Sequence, residues 1–242
     1  MDSPEMSLSQ HLEELRTRLL WMIAVVGACF FAGYFVAKPV MFWLVRRSIL
    51  HHLVVIGVVE AFYGVIQIDF IMSLIVSSPF LLFQLAAFVF PGLTDLERRM
   101  VGWFLVPGGL LFLAGSAAGF FWFVPVVLRV MLSFTGHGLE PLWTLSSYLS
   151  IVIDLSVPFG IVAELPLVSG LLSHYGILSP SLFARYRRYA ILIAFAIAAV
   201  LAPPTALSMI LMAIPIYLIY ELAYVVSRLA YRPGARGGVV EK

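Results

Sequence analysis

The chain has 242 residues, of which 62% are hydrophobic and 12% are charged, and its mean hydropathy is +1.03. Ordinary soluble domains carry about 25% charged residues, so this composition excludes a soluble protein and indicates one that crosses a membrane several times. The single cysteine, Cys29, excludes an intrachain disulfide, and the formal net charge of +2 is informative only through where the charges lie.

Four uncharged runs are each long enough to cross a bilayer, which takes about 20 apolar residues. They are Leu19 to Ala37, Phe70 to Thr94, Met100 to Leu128 and Tyr189 to Tyr220. The last run contains Pro203 and Pro204, which cannot continue a helix, so it indicates two spans joined by a tight turn. A less clean span near residues 149–172 carries Asp154 and Glu164.

The sequence therefore predicts an all-α polytopic membrane protein with six transmembrane helices. These spans fall at about residues 17–37, 69–90, 101–125, 149–172, 187–202 and 205–227, in a single membrane domain over residues 1–242 with a tail at 228–242. Prolines within the spans predict kinked helices that enclose a concave surface. They are Pro79, Pro107, Pro158, Pro166 and Pro215.

The lysines and arginines are distributed unevenly between the two sides of the membrane that six spans define. Eleven lie on the side of both termini and four on the other side. Positive charge concentrates in the cytoplasm, so both termini are predicted to be cytoplasmic, and Arg98 and Arg99 are explained as topology anchors. The outer segments, 38–69 and 129–148, are rich in aromatic residues and are predicted to form interfacial helices. No metal site is expected at His51 and His52, because adjacent residues point to different faces and no further ligands cluster there.

Two polar residues within the spans are costly in lipid. Gln84 shares a helical stripe with Phe88, and both Gln84 and Glu164 lie about 5 to 6 Å past the middle of their spans, on the predicted cytoplasmic side. This matched depth predicts one polar pocket there, with Glu164 as its acid. For each residue, a purely structural hydrogen bond is the alternative.

An amphipathic segment precedes the first span. His11, Glu14 and Arg18 share one face of the predicted helix, whereas leucines occupy another. An amphipathic start therefore runs straight into the first span, and Glu14 could simply pair with Arg18 four residues later.

Five motifs, in this order and spacing, resemble the TatC family, the core subunit of the twin-arginine protein translocase. They are "HLEELRTRLL" (11–20), "SSPFLLFQLAAFVFPGLTDLERR" (77–99), "FGIVAELPLV" (159–168), "RYRRYAI" (185–191) and "LAPPTALSMILMAIPIYLIYE" (201–221). The chain departs from the family at Thr205, where many members have Asp, and at Gln67, where a basic residue is common.

The resemblance implies a cupped, glove-like fold with short fifth and sixth spans and both termini in the cytoplasm of a prokaryote, within its inner membrane. It implies a non-enzymatic receptor that reads the two arginines of signal peptides on folded proteins and exports those proteins using the proton-motive force. Implied partners are single-span proteins of the TatA and TatB type, the lipid bilayer and further copies of the chain; no cofactor and no nucleic acid is expected.

The resemblance also implies two groups of site residues. The signal-binding group consists of Glu14, Glu97, Arg16, Phe88, Gln84, Arg98, Arg99 and His11. The group for partner-helix docking, or for a polar intramembrane site, consists of Glu164, Gln84, Pro203 and Pro204.

Two other functions compete with this interpretation. A proton-coupled secondary transporter would use Glu164 as its proton carrier, but the two halves of the sequence show no internal repeat. A membrane-embedded hydrolase is disfavoured because the sequence contains neither GxSxG nor HExxH.

Overall fold

The computed structural model describes residues 8–50, 53–89, 95–134, 142–201 and 205–231. Within these ranges, the side chains at 8–11, 58, 86, 89 and 95–105 lie outside the description. The predicted histidine pair, His51 and His52, and the turn prolines, Pro203 and Pro204, fall outside the described residues.

The described residues are almost entirely helical. The helices are α1 (Leu8–Arg47), α2 (Val58–Val89), α3 (Asp95–Ala118), α4 (Val124–Ser133), α5 (Leu145–Ala163), α6 (Leu165–His174), α7 (Pro180–Leu201) and α8 (Ala206–Ala230). A π-helical segment, Gly119–Phe123, joins α3 to α4, and only Glu164 separates α5 from α6. The described chain thus forms six helical rods, and the prediction of an all-α membrane fold with six helices is confirmed.

Five of these rods are long and apolar enough to cross a membrane. The sixth rod, α7, is not among those five. The first turns of α7 carry Arg185, Arg187 and Arg188, which leaves a shorter uncharged stretch than in the other rods. A short apolar length favours local thinning of the bilayer around this helix.

The prediction of an interfacial helix in segment 129–148 stays a prediction, because residues 135–141 lie outside the described residues. The structure corrects the prediction of an interfacial helix in segment 38–69. Instead, α1 continues through Lys38 to Arg47, and α2 begins at Val58, well before its uncharged run. Between them, β1 (Leu53–Val54) pairs in parallel with β2 (Trp143–Thr144), just ahead of α5. A helix satisfies its own backbone hydrogen bonds, so it can extend beyond the apolar run that predicts it.

The chain divides into two compact units. One comprises Met1–Arg46 and Val58–Gly109, and the other comprises Arg47–Gly57 and Leu110–Lys242. In the second unit, α6 packs along α8, and buried serines lie at the contact between the two helices. The Ser173 and Ser227 hydroxyls lie 2.6 Å apart, and Ser169 Oγ donates to the Ala223 carbonyl at 2.9 Å. Such interhelical hydrogen bonds satisfy polar groups that lipid cannot.

Small residues also bring α3 and the π-helical segment close to α5. A Cβ atom added at Gly115 would lie 2.6 Å from the Phe159 carbonyl oxygen, and one at Gly119 would lie 2.8 Å from Ser156 Cα. Phe159 in turn stacks on Phe123, with ring centroids 4.2 Å apart. Residues without bulky side chains allow helix backbones in membranes to approach this closely.

Gly115→Ala is expected to destabilise the protein by about 1 to 3 kcal/mol, because the added methyl group meets backbone atoms that cannot move aside. The measurement is the thermal midpoint of the purified protein in one detergent. Gly27→Ala is the matched control, since an added Cβ there has no described atom within 4 Å. Equal midpoints for the two variants would show that the close approach of α3 and α5 contributes nothing to stability.

Candidate functional site

A cluster of three polar side chains joins the start of α1 to the end of α2 within the first unit. Arg18 Nε donates to Glu14 Oε1 at 2.9 Å, and Arg18 Nη1 donates to Gln84 Oε1 at 3.0 Å. We call these residues the Glu14 cluster. Its members are half-buried, so the contacts are screened less than those of an exposed ion pair.

The local sequence explains one of the two contacts in this cluster, the one between Glu14 and Arg18. Glu14 and Arg18 are four residues apart on α1, with the acid nearer the amino terminus, which is the favourable order for an ion pair on a helix. Gln84 lies on α2 and is brought to Arg18 only by the packing of the two helices. Arg18 therefore links the two predicted site residues, a role that sequence reasoning did not assign to it.

The Glu14 carboxylate retains an acceptor. Arg18 donates two hydrogen bonds to Oε1, whereas Oε2 has no hydrogen-bond partner among the described residues. A carboxylate can receive the two parallel N–H groups of a guanidinium, and this carboxylate uses one oxygen only. Oε2 is buried and lacks a described partner, so the binding of a cationic ligand by Glu14 stays a prediction.

The remaining predicted residues of α1 and α2 flank this cluster. Arg16 is exposed two residues after Glu14, and Phe88 is half-buried one turn after Gln84. His11 lies in α1 three residues before Glu14, but its side chain is outside the described part of the structure.

The charged motif after the second span begins α3. Glu97, Arg98 and Arg99 occupy its first turns, in the same compact unit as the Glu14 cluster. An acid in the first turn of a helix is favoured by the helix dipole. The side chains of all three lie outside the described ones, so the contact of Glu97 with a ligand stays a prediction.

Glu164 occupies the break between α5 and α6. Pro166 stands at the start of α6, and the Glu164 backbone N–H bonds to the Ile161 carbonyl at 3.2 Å instead of continuing the α-helical pattern. The side chain is 5% exposed, and its carboxylate oxygens make no hydrogen bond to a described side chain; the backbone of Phe112 lies nearby. Glu164 belongs to the second unit and Gln84 to the first, so a shared polar pocket stays a prediction.

Asp69 is a second buried acid, which sequence reasoning missed. It lies on α2, is fully buried, and packs where Gly33 of α1 lacks a side chain. Neither carboxylate oxygen has a hydrogen-bond partner among the described residues. Sequence reasoning missed Asp69 because it lies at the edge of an uncharged run. Such a run marks the part of a helix that is compatible with lipid, and the helix itself can be longer.

Thr205 caps α8 at the position that follows the predicted turn prolines. Its hydroxyl oxygen accepts from the Ser208 backbone N–H at 3.2 Å and lies 2.6 Å from the Ser208 hydroxyl. The hydroxyl of a threonine at this position satisfies one of the free N–H groups of the first helical turn.

Thr205→Ala is expected to lower the free energy of unfolding by about 1 kcal/mol, since the cap is lost. Thr205→Asp restores an acceptor oxygen and should recover that stability. The thermal midpoints of the three proteins test this. A midpoint for Thr205→Ala equal to that of the unsubstituted chain would show that the cap is energetically irrelevant.

The chain matches a known protein family over most of its length. Residues 10–215 match the family model described as Sec-independent protein translocase protein (TatC). The chain belongs to the TatC family.

Curated relatives match the TatC chain over nearly its full length. The TatC protein of Listeria innocua is 36% identical over 96% of this chain and 95% of its own length, and TatCy of Bacillus subtilis is 30% identical over 98% of this chain and 95% of its own. A crystal structure described as the twin arginine translocase receptor TatC superposes with a TM-score of 0.80, at 32% identity, covering 92% of this chain and 100% of that one.

TatC proteins are components of a protein translocase, so this chain is a membrane protein of protein transport. Its five apolar rods agree with that assignment. The competing interpretation as a proton-coupled transporter has no support in these comparisons.

Proposed function

We propose that this TatC protein binds the twin-arginine signal peptides of folded proteins and exports those proteins together with TatA- and TatB-type partners, driven by the proton-motive force. The protein acts as a receptor and not as an enzyme. The observation that carries the proposal is the Glu14 cluster, in which a positioned carboxylate keeps one oxygen without a partner among the described residues.

The chemistry of the cluster suits arginine better than lysine. A guanidinium is a rigid planar fork that can engage a carboxylate and a neighbouring amide oxygen together, whereas an ammonium is a point charge. Glu14 offers a carboxylate oxygen, and Gln84, held by Arg18, offers an amide oxygen beside it. Glu97 supplies the second carboxylate for the second arginine, with His11, Arg16, Arg98 and Arg99 around it and Phe88 against the apolar part of the signal.

The charge distribution supports the orientation that this function requires. With eleven of fifteen basic residues on the side of the termini, both termini and the Glu14 cluster face the cytoplasm, where export substrates are made. The chain acts as one membrane domain over residues 1–242, in the inner membrane of a prokaryote. It also associates with further copies of itself in the receptor complex.

The second predicted group receives the partner helix. Glu164 is buried at a break in the rod formed by α5 and α6, and its carboxylate makes no hydrogen bond to a described side chain. A single-span helix with one polar residue can hydrogen-bond there at little cost. Gln84, Pro203 and Pro204 complete this group.

Binding of a signal peptide tests the proposal directly. A photo-crosslinking residue is placed at exposed Thr17, one turn from Glu14, and the full-length chain in membranes is exposed to an Arg-Arg peptide or its Lys-Lys counterpart. We expect the Arg-Arg peptide to crosslink about tenfold more strongly, because lysine lacks the fork. Equal crosslinking of the two peptides would rule out this site as the reader of the arginine pair.

A further inference from the structure

A second polar site lies in the second unit, whereas the residues of the Glu14 cluster belong to the first. A cavity of about 390 Å³ opens between the last residues of α1, the π-helical segment, α4 and the start of α5. Arg47 and Arg129 both line it, and none of the described residues that line it is acidic. We call it the Arg47–Arg129 pocket.

Three candidate membrane spans begin or end beside the pocket, and we infer that it lies near a membrane interface. Arg129 is in the second half of α4, and Tyr148 is in the first turn of α5, so the end of one candidate span and the start of the next line the same pocket. Arg47 is the last residue of α1. Aromatic and long basic side chains are typical of this depth, where headgroups meet hydrocarbon.

The polar groups of the pocket are held in place. The Arg47 guanidinium carbon lies 5.1 Å from the centroid of the Phe121 ring, within the range of a cation–π contact. Tyr148 is 1% exposed, and its hydroxyl is hydrogen-bonded to Ser48, another lining residue. The pocket therefore combines two guanidinium groups with a pair of hydroxyls that, being bonded to each other, can offer one O–H group to an anion.

The other wall of the pocket is apolar. Phe120, Val124 and Leu128 line it beside the arginines. Phe120 is presented by the π-helical segment, and π-helical turns of this kind are frequently found at functional sites. A bound anion would be attracted by both arginines.

We propose that the Arg47–Arg129 pocket binds a phosphate group. Arginine pairs match the oxygens of a phosphate bidentately, and the Tyr148–Ser48 hydroxyl pair adds one further donor. The source is either the headgroup of an anionic phospholipid or free phosphate. The apolar wall beside the arginines and the interfacial position favour the lipid, whose glycerol and first acyl carbons would lie against Leu128.

Native mass spectrometry of the full-length, delipidated protein tests the proposal with two probes, dioleoyl phosphatidylglycerol and inorganic phosphate. We expect one phosphatidylglycerol molecule to bind with about tenfold lower affinity to Arg47→Gln or Arg129→Gln, and about a hundredfold lower to the double variant. Arg46→Gln is the matched control: Arg46 is exposed, adjacent to Arg47 and of equal charge, but does not line the pocket.

The two sources of phosphate give different results. If phosphatidylglycerol binds and millimolar inorganic phosphate does not displace it, the ligand is the lipid; if inorganic phosphate binds alone and depends on the same two arginines, the ligand is free phosphate. Either result supports the proposal.

Three results would overturn the proposal. They are equal binding to the unsubstituted protein and the double variant, equal weakening by Arg46→Gln, and displacement by acetate as effective as that by phosphate. Gel filtration of each variant as a single peak shows that lost binding is not lost folding.

Discussion

Replacing Glu14 or Glu97 with alanine is expected to weaken crosslinking of an Arg-Arg signal peptide by at least about tenfold in each case. A charge-assisted hydrogen bond contributes about 1.5 to 3 kcal/mol, and 1.4 kcal/mol corresponds to a factor of ten in affinity. Loss of Glu14 has a second consequence, because Arg18 then keeps its charge without its acid and repels the incoming arginine. Two measurements show the effect: crosslinking of the peptide to a photo-crosslinking residue at position 17, and export of a folded reporter protein.

Glu13→Ala is the control for this experiment, since Glu13 is the exposed neighbour of Glu14 and its removal changes the net charge equally. Glu14→Gln should weaken crosslinking less than Glu14→Ala, because the amide oxygen still accepts a hydrogen bond. If both alanine variants bound the peptide as strongly as the unsubstituted chain, the assignment of the signal site to these two acids would be wrong.

Glu164→Ala is expected to preserve binding of the signal peptide but to impair docking of a partner helix, and to lower export by about tenfold or more. Hydrogen bonds in a low-dielectric layer have no water to compete with them, so a buried acid without a described side-chain partner can bind a polar group on an incoming helix. Copurification of a TatA- or TatB-type partner, measured beside signal crosslinking, separates docking from recognition.

Asp154→Ala is the matched control for Glu164, because Asp154 is an acid on the same rod but is exposed. Glu164→Gln, which retains hydrogen-bonding capacity, should keep more of the partner than Glu164→Ala. Unchanged copurification together with full export in Glu164→Ala would exclude a docking role for this residue.

The Glu14 cluster shows how far sequence reasoning reaches at a site. The pairing of Glu14 with Arg18 follows from a spacing of four on one helix and was open to prediction as an alternative role for the acid. The contact between Arg18 and Gln84 joins residues 66 positions apart, and no local pattern contains that information. The motif resemblance identified both Glu14 and Gln84 as site residues without the arginine that connects them.

The lengths of the helices were predicted less well than their number. Uncharged runs mark the part of a helix that lipid tolerates, so α1 was expected to end near Ala37 and in fact continues to Arg47. Because uncharged runs do not mark the whole helix, Asp69 was not recognised from the sequence. Its burial depends on Gly33 of another helix. The Arg47–Arg129 pocket was not predicted either, because the sequence analysis counted its two arginines only as charges on the outer side of the membrane.

By itself, the sequence determined that this protein is helical, that it crosses a membrane and how many helical rods it contains. It did so because lipid requires each segment to satisfy its own backbone hydrogen bonds, which makes apolar length a local property. Only the tertiary structure decided which polar side chains meet and which remain buried with an unused acceptor. Arg18 meets Gln84, and Glu164 is buried at a helix break. Those outcomes depend on packing between distant segments, where one small residue such as Gly33 or Gly115 determines how closely two helices approach.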